Sequence, residues 1–166
     1  MFELKRLSPE GVDLALKKVE RYRLLNEPWQ AESICLDILD IDPEHQGALI
    51  SLVLAITDQF KAEGGGRLKE AQALIPRLEA EYHKAYYSGI IWERRATTVL
   101  ERHTTGSGPV AYEHLRKAMD FYEKAQELRP ERDESSVIRW NSCVRMITRH
   151  DDVHPAPDDE AVTFLE

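Results

Sequence analysis

The chain has 166 residues, of which 42% are hydrophobic and 31% charged, enough for one apolar core and little more than one domain. Its 22 Lys and Arg against 30 Asp and Glu set the formal net charge at −8, which excludes an extended basic face for nucleic-acid phosphates or anionic lipid. The longest apolar stretch, Leu49 to Ile56, falls far short of the roughly 20 residues that a membrane span requires.

In chain order, the first helix is expected from Pro9 to Leu25, with Ser8 as N-cap and Pro9 at the first helical position. Asn26-Glu27-Pro28 breaks it, and a second helix runs from Pro28 to Ile41 with Ala31, Ile34, Cys35, Ile38 and Leu39 at helical spacing. Asp42-Pro43 closes that helix. A third, over residues 44–60, is apolar nearly all round and is therefore expected to be covered on more than one side. Gly64-Gly65-Gly66 reads as a linker, since no Lys-Ser/Thr follows it and no strand precedes it. A fourth helix starts near Arg67 and meets Pro76, which should kink or restart it. The fifth spans His83 to Arg102, the sixth Val110 to Leu128 and the seventh Glu134 to Thr148, with a loop at 104–109 and Arg129-Pro130 ending the sixth. No segment shows persuasive strand alternation, so the expected class is all-α.

The second and sixth helices align with one another. Ala31 precedes Ile38 by seven residues and Pro43 follows, as Ala118 precedes Ala125 and Pro130 follows. Ala lets a neighbouring helix approach, the thiol or aromatic one turn on (Cys35, Tyr122) fills the gap, and Pro forces the turn. With Tyr22 nine residues before Ala31, this pattern resembles the tetratricopeptide repeat (TPR) family, whose 34-residue helix pairs stack into a superhelix. The matching residues are Tyr22, Ala31, Leu39, Ile41, Asp42 and Pro43 in one block and Ala118, Tyr122, Ala125, Leu128 and Pro130 in the other. Pro43 and Pro130 stand 87 residues apart, 19 more than two units of 34 would place them, so the middle of the stack should be irregular. The resemblance implies a right-handed stack of about three antiparallel helix pairs plus a terminal helix over residues 1–149. It also implies a concave groove, lined by the first helix of each pair, that takes a peptide or protein segment. The Lys, Asn and Arg with which some members grip acidic C-terminal peptides are replaced here by Leu16, Glu20 and Ser51, so that mode of binding is not expected.

Charge is unevenly spread. Residues 1–83 carry a net −5, residues 84–149 a net +3, and residues 150–166 a net −6 with no Lys or Arg. Tyr87, Trp92, Arg94 and Arg95 on the fifth helix, with Arg139, Asn141 and Arg145 on the seventh, are the candidate peptide-binding residues, an aromatic-flanked basic surface suited to an acidic partner. Glu93 and Glu101 are the acids at hand to neutralise those arginines. Residues 150–166 are rich in acid and proline and read as an extended or disordered tail, with Phe164 and Leu165 as anchors for docking in a groove. His150, Asp151, Asp152 and His154 lack helical pairing for a metal, and no catalytic motif is present. The opening Met1-Phe2-Glu3-Leu4-Lys5-Arg6 has no apolar run of a signal peptide. Cys35 and Cys143 lie in apolar-periodic stretches without ligand spacing, as buried free thiols would. The expectation is a cytoplasmic, non-catalytic protein-interaction scaffold without metal or cofactor, and without nucleic-acid or membrane partners. The alternative is an oligomerisation module whose groove is filled by its own tail or a second copy.

Overall fold

The computed structural model describes residues 2–63 and 66–156. Ser8 leads into a short 3-10 turn over Pro9–Gly11, and helix α1 follows at Val12–Leu24. Asn26, at a positive φ of 59°, turns the chain, and α2 occupies Pro28–Ile41, where Pro28 has no N–H to leave unsatisfied. The expected third helix is shorter than 44–60. Its start is set at Gln46 because the His45 ring accepts the Ala48 N–H at 3.1 Å, and its end at Asp58. A four-residue turn of helix, α4 (Phe60–Glu63), comes next.

Helix α5 (Gly66–Leu74) passes into a 3-10 turn at Ile75–Arg77, so Pro76 ends the helix. The last three helices, α6 (Glu81–Glu101), α7 (Ser107–Leu128) and α8 (Ser135–Arg149), begin or end within three residues of expectation. The earlier start of α7 puts Pro109 in its first turn, and Gly106, at a φ of 83°, makes the left-handed step into it. No strand occurs among the described residues, and among them no helix is long and apolar enough to cross a membrane.

Each long helix packs on the next, and α3 also meets α1 and α6. α3 is therefore covered by α1, α2, α5 and α6, which accounts for its nearly all-round apolar sequence and its buried Ala48, Leu49, Leu52, Val53, Ala55 and Ile56. One core cluster joins α1, α2, α3 and α5 through Val19, Cys35, Leu49, Val53, Ala71 and neighbours. A second joins α6, α7 and α8 through Ile90, Val99, Leu115, Tyr122 and Cys143. Ala31, Ala118, Tyr122 and Ala125 are fully buried, Tyr22 is half-buried against the first cluster, and Pro43 and Pro130 follow α2 and α7.

Both thiols are free and buried, and burial pushes each up to about 12. The first residues of the supposed tail belong to the body: Val153 is 3% exposed and joins the second cluster. The chain reaches it by a turn in which the Val153 N–H donates to the His150 carbonyl. Gly108 admits this turn, because a Cβ there would stand 1.9 Å from the Asp152 carbonyl oxygen. Phe164 and Leu165 lie outside the described residues.

Candidate functional site

Helices α1, α3 and α6 lie side by side, and a chain of charged side chains crosses them. Asp58, the last residue of α3, accepts from Arg23 Nε of α1 at 2.7 Å and from Arg94 Nη1 of α6 at 2.5 Å. Arg94 also donates to the Leu54 carbonyl at 3.0 Å and to Thr57 Oγ1 at 2.5 Å. Burial pulls the Arg94 guanidinium down from its ordinary value, and the Asp58 charge works against that pull.

The next residue back along α6 faces the other way. Glu93 is 6% exposed; one carboxylate oxygen accepts the Tyr122 hydroxyl of α7, and the other accepts Arg139 Nη1 of α8 at 3.2 Å. Burial lowers Arg139, but the Glu93 charge and a hydrogen bond with Tyr86 outweigh it, so its net direction is up. The Tyr122 hydroxyl is raised far above a normal phenol by burial and by the Glu93 charge. Two adjacent residues of α6 thus bind it to α1 and α3 on one side and to α7 and α8 on the other.

Four tyrosines surround this polar chain. Tyr86 meets Tyr87 edge-on at 5.2 Å and Tyr122 at 6.0 Å, and stacks on Tyr82 at 5.8 Å. Tyr82 in turn donates to Asp133 at 2.9 Å. Burial raises Tyr87, with Tyr86 adding to the shift and Arg23 opposing it.

The seven residues singled out from the sequence do not form one surface. Tyr87, Arg94 and Arg139 belong to the chain just described. Trp92 belongs to another: its ring lies 5.1 Å from that of His114 on α7, with Lys117 Nζ 4.6 Å from its centre. Arg95 stands near the same pair, since its charge acts on His114. On α8, Asn141 is half-buried and Arg145 exposed, and neither makes a hydrogen bond or ion pair among the described residues.

The acids expected to neutralise the arginines divide similarly. Glu93 takes Arg139, Glu101 takes Lys61 at 3.0 Å, and Arg94 takes Asp58. No motif in the sequence points to Arg23 and Asp58. They are 35 residues apart, and the only hint of them is that each lies at the C-terminal end of its helix.

A cavity of about 480 Å³ opens between the C-terminal ends of α6 and α8, lined by Thr97, His103, Thr105, Met146, His150 and Asp152 among others. It brings His150 and Asp152 to His103, which the sequence leaves unconnected. No group of three or more His, Cys, Asp or Glu among the described residues could hold a metal ion. Compared with known proteins, the chain matches no family model, no curated protein and no solved structure.

Proposed function

We propose that the chain is a TPR-like stack that works as a non-catalytic protein-interaction module, taking an extended protein segment along the layer formed by α1, α3, α6 and α8. One observation carries this reading: the first helix of each expected pair lies beside the first helix of the next, α1 on α3 and α3 on α6, while successive helices also pack in order. That is the contact pattern a stack of helix pairs requires, and in such stacks the layer of first helices lines an open groove. Arg23, Tyr87, Arg94 and Arg139 stand along this layer with Asp58 and Glu93 between them, three positive charges against two negative. The surplus favours an acidic segment, and the half-buried Tyr87 offers an aromatic surface beside it. The buried free thiols suit a reducing compartment, in keeping with a cytoplasmic scaffold.

The test is selection from a displayed peptide library on the intact chain. Segments enriched on the wild type should be acidic. They should lose affinity about tenfold or more on Arg139→Glu or Tyr87→Ala, the scale of one well-placed contact. The same segments should bind Trp92→Ala and Arg95→Glu unchanged, since those side chains face α7. Segments indifferent to Tyr87 and Arg139, or dependent on Trp92, would overturn the proposal.

A further inference from the structure

The two ends of the helical body are unlike in charge and each exposes apolar surface. Helix α8 contains Arg139, Arg145 and Arg149 and no acidic residue. Arg139 is occupied by Glu93, whereas Arg145 and Arg149 are exposed and have no ion-pair partner among the described residues. Seven and eleven residues before them in helical register, on the same outward stripe, stands Ile138, which is 65% exposed.

At the other end, α2 contains Glu32, Asp37 and Asp40 and neither Lys nor Arg. Glu32 is taken by Arg67 and Asp40 by Arg6, which leaves Asp37. Asp37 lies at a cleft of about 310 Å³ between α1 and α2, whose walls include Leu14, Tyr22 and Ile34, with Lys18 on the rim. Leu14 is 62% exposed. Residues 12–41 hold four basic against six acidic residues, so this end is acidic despite Lys18.

We propose that the α1–α2 end of one molecule receives α8 of a second copy, with Ile138 entering the cleft beside Leu14 and Arg145 facing Asp37. The observation that selects a second copy in this head-to-tail sense is charge. A two-fold contact would set α8 arginines against α8 arginines, or the acidic α2 against itself, and like charges facing one another oppose association. Head-to-tail contact pairs opposite signs and covers both apolar ends, which stacked helical proteins otherwise shield with polar caps. Such a contact does not close on itself at two copies, so the assembly grows with concentration. The contact shares α1 and α8 with the layer proposed to take a peptide but uses Leu14, Asp37, Ile138 and Arg145 rather than Tyr87 and Arg139, so either reading can fail without the other.

The experiment uses sedimentation of the full chain from about 10 µM to about 1 mM at low salt, where charge pairs are least screened. Leu14→Asp blocks one end and Ile138→Asp the other; both residues are exposed, so circular dichroism should be unchanged. The wild type should grow past a dimer as concentration rises, and each variant alone should remain at 19.1 kDa. An equimolar mixture of the two variants should give a dimer and nothing larger, because one intact end of each kind remains. Should either variant unfold, Asp37→Lys and Arg145→Glu replace them, each weakening association and the two together in one chain restoring it. A wild type that stays at 19.1 kDa throughout overturns the proposal. So does association abolished by one variant and untouched by the other, or a mixture that remains monomeric.

Discussion

The ring of Tyr122 on α7 occupies the space that a side chain at position 89 of α6 would need, and its hydroxyl closes on Glu93 one turn further along α6. A Cβ at Gly89 would meet the ring at 2.4 Å, and Tyr122 is fully buried, so the ring has nowhere to move. Gly89 and Glu93 thus form one receptor for the aromatic that fills the gap between Ala118 and Ala125.

Two substitutions separate the parts of that receptor. In an open helix Gly→Ala stabilises by about 1 kcal/mol. Here Gly89→Ala should instead destabilise by about 1–3 kcal/mol, the range for forcing extra volume into a packed site. Tyr122→Phe keeps the ring and removes the hydroxyl, leaving a nearly buried Glu93 oxygen without its donor, a loss of about 1–3 kcal/mol. Urea unfolding followed by circular dichroism measures both. A more stable Gly89→Ala protein would show that the two helices separate freely at this point.

Asp58 and Arg23 should not be equivalent, although they share an ion pair. Removing Arg23 leaves Asp58 still paired with Arg94. Removing Asp58 strips the counter-charge from Arg94, whose charged form burial already disfavours. Asp58→Ala should therefore lower stability by about 2 kcal/mol, and Arg23→Ala by less than about 1 kcal/mol. Equal losses from the two would mean that Leu54 and Thr57 alone suffice for Arg94.

Local signals in the sequence account for most of the elements and little of the site. Pro28 and the Asp42-Pro43 break delimit α2 residue for residue, and the Ala118–Tyr122–Ala125 spacing marks the buried stripe of α7. These features act within a turn or two of the chain, where proline geometry and helical period apply directly. The partners of Arg94 and Arg139 lie 36 and 46 residues away, set by how helices are laid together, and no local period carries that. One separation was nevertheless available. Tyr87, Ile91 and Arg94 share a stripe, while Trp92 stands about 140° round the helix from Tyr87. Periodicity alone assigns Trp92 to a different neighbour. Gly89 and Gly108 carried no signal either, because a close approach by another segment is invisible until that segment is in place.

Gly108 supports a sharper prediction about the end of the described chain. Gly108→Ala would set a Cβ against the Asp152 carbonyl, in backbone that cannot swing aside without lifting the turn at 150–153. Lifting it uncovers Val153, whose burial stabilises by roughly 1.5–2 kcal/mol. Gly108→Ala and Val153→Ala should both hasten proteolytic cleavage after Arg149, and the double variant should be little worse than either alone. Additive effects would indicate that the two residues act through separate structures.

His114 makes stability depend on pH in a direction that follows from its surroundings. Burial lowers its affinity for a proton, and the charges of Arg95 and Lys117 lower it further. Its Nδ1 is buried without a hydrogen-bond partner among the described residues, and its ring lies 5.1 Å from that of Trp92. The folded value is thus below the ordinary 6.5, so the unfolded chain takes up this proton first as pH falls. The stability contributed by neutral His114 is whole above 6.5 and declines as pH drops through that value towards the lowered folded one. His114→Phe retains a ring against Trp92 and cannot titrate. Urea midpoints for the two proteins, compared from about pH 8 to about pH 5, should be similar at the upper end, with the wild type falling progressively behind below it. Every other group is common to both proteins and cancels in the difference. Midpoints that run parallel across the range would show that His114 accepts its proton as readily folded as unfolded, and that Arg95 and Lys117 do not act on it.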